Sequence, residues 1–194
     1  MTSAASSHPV RLEVDYPASL SRWKIFFKGL FIIPNAIVLS FVQIGFMITT
    51  VLSWFAILFT GRYPRGMFNF AESYMRWSTS VSVYTLLLRD EYPAFSGTAG
   101  KYAPLRFSVE YPERLSRIMI FLKGFALIPS FIAFVFVLIG ALVVEFIAWW
   151  VILFTGKMPE GMFNYLVGTL RWGVRISAYQ YFMTDKYPPF RMGA

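Results

Sequence analysis

One sequence unit occurs twice in this chain, with a constant offset of 95 residues and no gap. Residues 14–95 align with residues 109–190, and 36 of the 82 aligned positions are identical. Chance gives about 5 to 10% identity in a biased composition, so the second unit is a tandem copy of the first. Both copies must therefore adopt one architecture, and residues 96–104 are predicted to link them.

Each unit contains an apolar run that is too long for one straight membrane span and short for two. Residues 29–59 carry no charge, and residues 124–154 carry only Glu145. A single span needs about 20 residues. Of the whole chain, 57% of residues are hydrophobic and only 14% are charged, against about 25% charged in an ordinary soluble domain. The sequence therefore predicts an integral membrane protein.

Short segments of alternating polarity precede the two runs. Residues 10–16 and 105–111 each alternate apolar and polar side chains and end in Tyr-Pro, which predicts a strand. The two strands can pair into a ribbon if both lie on the same side of the membrane. Pro34 and Pro129 are predicted to kink or break the helix that follows each strand, because each removes a backbone donor that lipid cannot replace.

Two helical layouts fit each run. In the first, residues 20–41 and 44–59 form a transmembrane hairpin that turns near Gly45, and residues 67–88 form an amphipathic helix on the membrane surface. In the alternative, residues 36–59 form one long span and residues 67–88 return as a second span. We favour the hairpin, because a return span would carry Arg76 at its midpoint at a cost of about 2.5 to 3.5 kcal/mol.

The predicted fold is therefore an all-α integral membrane protein made of two parallel tandem repeats. Each repeat has a short N-terminal strand, a transmembrane hairpin kinked at proline and an amphipathic interfacial helix. We expect a disordered tail over residues 1–9, a first membrane repeat over 10–95, a linker over 96–104 and a second membrane repeat over 105–190.

The shared blocks of the two units carry a resemblance to a known family. They read Trp-x-x-Ile-Leu-Phe-Thr-Gly, then Pro-x-Gly-Met-Phe-Asn, then Arg-Trp and a closing Asp-x-Tyr-Pro-x-Phe. This pattern resembles a bacterial family of small integral membrane proteins that is catalogued as a domain of unknown function. The resemblance covers nearly the whole chain and implies a membrane location without implying an activity.

Charge predicts the side of the membrane. The chain has 18 Lys and Arg against 10 Asp and Glu, a net charge of +8. The hairpin layout puts all of the basic residues on one face, as the positive-inside rule requires. With the bacterial resemblance, this predicts a multi-pass protein of the cytoplasmic (inner) membrane with both termini cytoplasmic.

Composition argues against catalysis. Cysteine is absent and the one histidine is His8, which excludes disulfides, thiol nucleophiles and zinc or haem sites that need histidine or cysteine ligands. We predict no catalytic residues, no cofactor, no metal and no nucleic-acid partner, and we expect that the protein is not an enzyme.

Several charged side chains are candidate contacts for a lipid headgroup or a small anion. A guanidinium offers a bidentate fork to phosphate, and Trp favours the membrane interface. The candidates are Arg76, Trp77, Arg171, Trp172, Arg175, Lys28 and Lys123. The competing interpretation of Arg76 is an interfacial anchor or an ion pair with Glu72, one turn earlier. Glu145 is the candidate intramembrane polar site.

The sequence is compatible with two functions. The first is a noncatalytic membrane protein that acts through contacts, as an accessory subunit or a self-assembling scaffold that touches anionic lipids. Its partners would be membrane lipids and other membrane subunits or copies of itself. The alternative is a channel or transporter for a small anion or a lipid.

Overall fold

The computed structural model describes residues 8–193. The predicted disordered tail therefore lies outside the described residues over 1–7, while His8 is described and is buried. The described chain contains two strands and six helices in this order: β1 (Val10–Val14), α1 (Lys24–Phe31), α2 (Ile33–Thr60), α3 (Arg65–Thr85), β2 (Leu105–Val109), α4 (Met119–Ala126), α5 (Ile128–Thr155) and α6 (Glu160–Gln180).

The two predicted strands are confirmed, and they pair with each other. β1 and β2 form an antiparallel ribbon in which Leu12 lies opposite Phe107. These two residues occupy equivalent positions in the two repeats, since they are 95 residues apart. A pseudo-twofold axis therefore passes through the middle of the ribbon, perpendicular to the strands.

The predicted break at each proline is confirmed as well. α1 ends at Phe31, and α2 begins at Ile33 with Pro34 in its first turn. The first turn of a helix has no internal partner for its N–H groups, so proline fits there without the loss of a hydrogen bond. The second repeat has the same break between α4 and α5, beside Pro129.

The predicted hairpin turn near Gly45 is wrong. α2 runs without interruption for 28 residues, a length of about 42 Å, and α5 does the same. Gly45 lies where α2 approaches α3, and a Cβ atom there would lie 3.5 Å from the ring of Phe70. Gly45 therefore lies inside a continuous helix at ordinary contact distance from α3, and the helix pattern is that of the alternative layout, one long helix followed by a returning one.

The amphipathic helices α3 and α6 are inside the molecule, which corrects the prediction that they lie on the membrane surface. The polar face of α3 meets the ribbon, where Glu72 Oε1 accepts the N–H of Val109 at 3.3 Å. The apolar face meets α2, where Tyr74 stacks on Phe46 with ring centroids 4.3 Å apart. Both faces of the amphipathic pattern are thus covered by protein, and α3 and α6 form a middle layer between the ribbon and the long helices.

The four remaining helices, α1, α2, α4 and α5, form a layer that we call the outer helices. The stretches Lys24–Thr60 and Met119–Thr155 are long and apolar enough to cross a membrane, and only 17% of the most apolar window in each is buried. Large side chains such as Phe41 and Phe136 are each 70% exposed. The apolar runs found in the sequence are therefore the surface of this structure, and its core lies mainly around α3 and α6.

The first segment of each repeat packs on the other repeat. β1 packs on α6 and β2 packs on α3. The N–H of Leu20 donates to the carbonyl of Gly156 at 2.8 Å, and the N–H of Leu115 donates to Gly61 at 2.9 Å. The start of each long helical stretch thus lies beside the end of the other, so the two stretches run antiparallel.

Candidate functional site

Two of the predicted lipid contacts, Lys28 and Lys123, are buried. Lys28 Nζ lies 2.8 Å from Asp90 Oδ1 and donates to the carbonyl of Arg89 at 2.7 Å. Lys123 Nζ pairs in the same way with Asp185 at 2.9 Å. Each ammonium group joins the first helix of its repeat to the segment that follows the last one. Their assignment as lipid contacts stays a prediction, and their present contacts are structural.

Arg76 connects the two repeats. Its Nε donates to the carbonyl of Phe107 at 3.1 Å, one Nη donates to Gly97 at 2.7 Å and the other lies 2.6 Å from Glu72. This ion pair is the one that the sequence offered for Arg76, with Glu72 one turn earlier. All three nitrogen atoms of this guanidinium have protein partners, so it contributes to the fold by holding β2 to α3.

Arg171 forms the equivalent contact in the second repeat, but without a neighbouring glutamate. Arg171 Nε donates to the carbonyl of Leu12 at 3.1 Å, but Val167 occupies the position equivalent to Glu72. Arg175 adds a further cation one turn later and is only 1% exposed. Burial, followed by the charges of Arg171 and Arg191, lowers the pKa of Arg175 to about 10. Within residues 8–193, neither Arg171 nor Arg175 has an acid at ion-pair distance.

The two predicted tryptophans have different partners. Trp77 Nε1 donates to Asn35 Oδ1 at 2.8 Å. The residue equivalent to Asn35 is Ser130, whose shorter side chain hydrogen-bonds the hydroxyl of Tyr187 at 2.6 Å instead. The indole N–H of Trp172 consequently has no hydrogen-bond partner among the described residues. Both rings are buried, so neither one faces a headgroup directly.

Glu145 lies apart from the arginines, in the walls of two cavities. A groove of about 590 Å³ opens between α1 and α5. A second cavity of about 260 Å³ lies among α3, α5 and α6. Both are lined by Glu145 and Leu142. In the part of the chain that the structure describes, the carboxylate forms no hydrogen bond and no ion pair. It is therefore an acidic side chain in largely apolar surroundings without a hydrogen-bonding or ionic partner among the described residues.

The structure also brings together three arginines that sequence reasoning did not select. Arg62, Arg114 and Arg117 line an open pocket of about 500 Å³ at the C-terminal end of α2. None of their side chains forms an ion pair within the described residues. Gly61, with φ of 70°, ends α2 beneath the Arg117 side chain. The pocket, which we call the arginine pocket, joins residues of both repeats, and no local sequence signal could have revealed it.

The candidate residues therefore lie at several separate positions and do not form one site. The lysines, Arg76 and Arg171 hold the layers together, while Glu145 and the arginine pocket present charges without protein partners. Among residues 8–193, no group of three or more His, Asp or Glu side chains is placed to hold a metal ion.

A family model described as Domain of unknown function (DUF4389) matches this chain twice, over residues 22–97 and again over residues 117–191. The matches fall in the two repeats, which confirms the prediction of two tandem copies of a domain of unknown function. Both matches begin after the strands of the ribbon. No curated protein and no solved structure matches the chain.

Proposed function

Because the chain belongs to the DUF4389 family of domains of unknown function, we propose its function from the structure: a noncatalytic membrane protein that acts through contacts. The outer helices embed in lipid, the arginine pocket contacts anionic headgroups, and the protein serves as an accessory subunit or a self-assembling scaffold. The observation that carries this proposal is the exposure of the outer helices.

An exposed apolar layer of this size needs a nonaqueous neighbour. Soluble proteins rarely expose contiguous apolar patches larger than a few hundred square ångströms. The outer helices expose aromatic and aliphatic side chains along their whole length, among them Phe31, Phe41, Phe55, Phe121, Phe136 and Phe154. A lipid bilayer, or an apolar partner within it, is the environment that satisfies such a surface.

The charges of the ribbon favour one orientation in the membrane. The ribbon lies beside the middle of α3 and α6, and its Arg106, Glu13 and Asp15 side chains are between 45% and 63% exposed. Long helices that crossed the bilayer would carry this ribbon to mid-depth, where each charge costs about 2.5 to 3.5 kcal/mol. We therefore propose that the layers lie parallel to the membrane, with the outer helices embedded from the cytoplasmic side. This placement replaces the predicted multi-pass crossing and keeps both repeats in one orientation.

Cysteine labelling tests the orientation, since the natural chain has no cysteine. Arg22→Cys and Arg62→Cys mark the two ends of the first long helical stretch, and Lys101→Cys marks the ribbon side. If the layers lie parallel to the membrane, a membrane-impermeant maleimide labels all three variants from the cytoplasmic side of oriented vesicles. Labelling of Arg22→Cys and Arg62→Cys from opposite sides would establish a crossing helix instead.

The arginine pocket supports contact with anionic lipid, because three unpaired guanidinium groups converge at the end of a helix where headgroups would lie. Native mass spectrometry of protein extracted in mild detergent should show retained phosphatidylglycerol. The Arg62→Gln/Arg114→Gln variant should lose it. The control, Arg11→Gln/Lys101→Gln, removes the same charge elsewhere and should retain it; equal loss from both variants would mean that net charge alone attracts the lipid.

The same spectra test the role as a subunit or scaffold. We expect the gently extracted protein to appear as an oligomer of this chain or with other membrane proteins bound. A lone chain at all detergent concentrations, together with no change in the shape of reconstituted vesicles, would remove the support for this part of the proposal.

Transport is the second candidate function, and the one observation in its favour is the position of Glu145 between two cavities. Charged residues inside membranes often mark the paths of ions or substrates. The Glu145→Gln variant, reconstituted in vesicles, should then lose flux of a small anion or lipid. Unchanged flux would leave contact as the function.

A further inference from the structure

The groove between α1 and α5 has a carboxylate as its one uncompensated charge within the described residues. Lys28 also lines the groove, but its ammonium group is already paired with Asp90 at 2.8 Å. Glu145 has no such partner. A buried or half-buried charge is costly unless a group of opposite charge or a hydrogen-bond donor meets it. The groove is therefore electrostatically suited to a cationic group that donates hydrogen bonds.

The walls of the groove are suited to a hydrocarbon chain. They are formed largely by the side chains of Leu142, Phe146, Trp149 and Trp150 on α5 and by Ile25 on α1. The groove is open, and Leu142 and Phe146 in its wall are 66% and 67% exposed, so a long chain can enter from the surrounding lipid. The smaller cavity, which Glu145 also lines, has serines at positions 78, 82 and 177 in its wall and so offers polar surface.

The carboxylate and the alanine beside it in the wall of the smaller cavity belong to the second repeat alone. In the first repeat, Phe46 is 1% exposed and fills the interior against Tyr74 and Tyr181. The equivalent residue in the second repeat is Ala141, which lines the smaller cavity. The equivalent of Glu145 is Thr50, whose hydroxyl donates to a carbonyl of its own helix at 2.8 Å. Ala141 and Glu145 thus both line the smaller cavity, whereas their counterparts in the first repeat are a buried ring and a hydroxyl that bonds to its own helix.

From this combination we infer that the groove binds one phospholipid with a primary ammonium headgroup. The ammonium group donates hydrogen bonds to the Glu145 carboxylate, and an acyl chain lies along Leu142, Phe146 and the two tryptophans. This site rests on the membrane placement proposed above and adds to it a ligand of stated chemistry. It is distinct from the arginine pocket, which presents the opposite charge.

Tryptophan fluorescence provides the test, because Trp149 and Trp150 line the groove. The full chain is reconstituted in vesicles that contain phosphatidylethanolamine, phosphatidylcholine or phosphatidylglycerol with brominated acyl chains, which quench tryptophan on contact. Competition between brominated and plain lipids gives relative binding constants. We expect the ethanolamine lipid to bind about fivefold more tightly than the choline lipid, the effect of about one net hydrogen bond.

The variants separate the site from general lipid contact. Glu145→Gln removes the charge at nearly constant shape and should lose the preference for ethanolamine lipid. Thr50→Val, at the equivalent position of the first repeat, should keep it. Equal quenching by all three lipids, a preference for phosphatidylglycerol, or an unchanged preference in Glu145→Gln would overturn the inference. The absence of quenching by any lipid would instead overturn the membrane placement on which the inference rests.

Discussion

The buried lysines illustrate how much of this chain's charge is devoted to its fold. A charge without water needs a partner of opposite sign, and the loss of that partner costs about 3 to 5 kcal/mol. The side chain of Lys28 is only 2% exposed and depends on Asp90. This pair therefore holds α1 against the segment that follows α3.

We predict that Asp90→Ala sharply lowers the thermal midpoint of unfolding in detergent micelles, because it leaves the Lys28 ammonium group buried with a carbonyl as its remaining hydrogen-bond partner. The double variant Lys28→Met/Asp90→Ala should recover part of the loss. Asp185→Ala should act like Asp90→Ala. Asp15→Ala, in an exposed ion pair, should cost less than about 1 kcal/mol; a loss as large as that of Asp90→Ala would refute the role of burial.

His8 gives a pH dependence of known sign. Burial, with the nearby charges of Arg175 and Lys186, lowers its pKa from 6.5 to about 4. Between these two values the unfolded chain binds a proton that the folded chain does not, so stability falls as the pH decreases from 6.5 to 4 and is unaffected by His8 above 6.5. Solvent screens part of this effect, so we expect about 1 to 2 kcal/mol over the whole interval.

Thermal midpoints measured in detergent at pH 7.5, 6.0 and 5.0 check this prediction. The loss of stability on acidification should be smaller in His8→Gln than in the natural chain. The same loss in both proteins would assign the pH dependence to other groups.

At the scale of elements, equivalent glycines in the two long helices have different surroundings. A Cβ atom on Gly45 would lie 3.5 Å from Phe70, an ordinary contact, whereas one on Gly140 would lie 2.3 Å from the hydroxyl of Tyr165. That hydroxyl donates to the carbonyl of Val137 at 3.1 Å. Alanine at position 140 must therefore displace a hydrogen-bonded side chain.

We predict that Gly45→Ala is neutral or stabilising by up to about 1 kcal/mol, because alanine favours an unbroken helix. Gly140→Ala should be less stable than Gly45→Ala by about 1 kcal/mol, the net value of one hydrogen bond. Thermal midpoints in micelles compare the two variants. Strong destabilisation by Gly45→Ala would argue against an unbroken α2 with room for a Cβ atom at position 45.

The elements also show what a sequence of this kind can reveal. The strands, the proline breaks and the amphipathic character of α3 follow from local patterns and were predictable. The choice between a hairpin and one long helix was not, because a glycine inside an apolar run is compatible with a turn and with an unbroken helix. For the same reason, the amphipathic pattern of α3 suggested a membrane surface, although its polar face meets a ribbon and its apolar face meets α2.

The residues of the candidate site also differ in whether the sequence could reveal them. Glu145 was recognisable as the one acid in an apolar run. The arginine pocket was not, because Arg62 and Arg117 belong to different repeats and meet only when the first segment of each repeat packs on the other. Residues that are neighbours across the pseudo-twofold axis cannot be recognised from their spacing along the chain.

For the whole molecule, the exchange of segments predicts that the two halves hold together without a covalent link. When residues 1–100 and 101–194 are expressed together as separate chains, we expect a one-to-one complex in mild detergent. The ribbon and the hydrogen bond from Arg171 to Leu12 join the halves. Size-exclusion chromatography with one tagged half provides the measurement.

A matched pair of variants tests the source of that association. Leu12 is 2% exposed beneath the ribbon, and Leu12→Asp should separate the halves. Arg11→Asp, on the exposed side of the same strand, should leave them together. Halves that separate in the natural sequence, or that survive Leu12→Asp unchanged, would contradict a ribbon that joins the repeats.

The interlocked segments have an evolutionary consequence. Two identical chains, each carrying one repeat, could assemble around a true twofold axis with the same exchange. Every mutation in such a dimer would appear at both equivalent positions. Fusion of the two repeats into one chain removed that constraint, so an acid could arise opposite Thr50 and an alanine opposite Phe46 in one half alone. The asymmetry around Glu145 is thus one that a chain with both repeats can have and an unfused homodimer cannot.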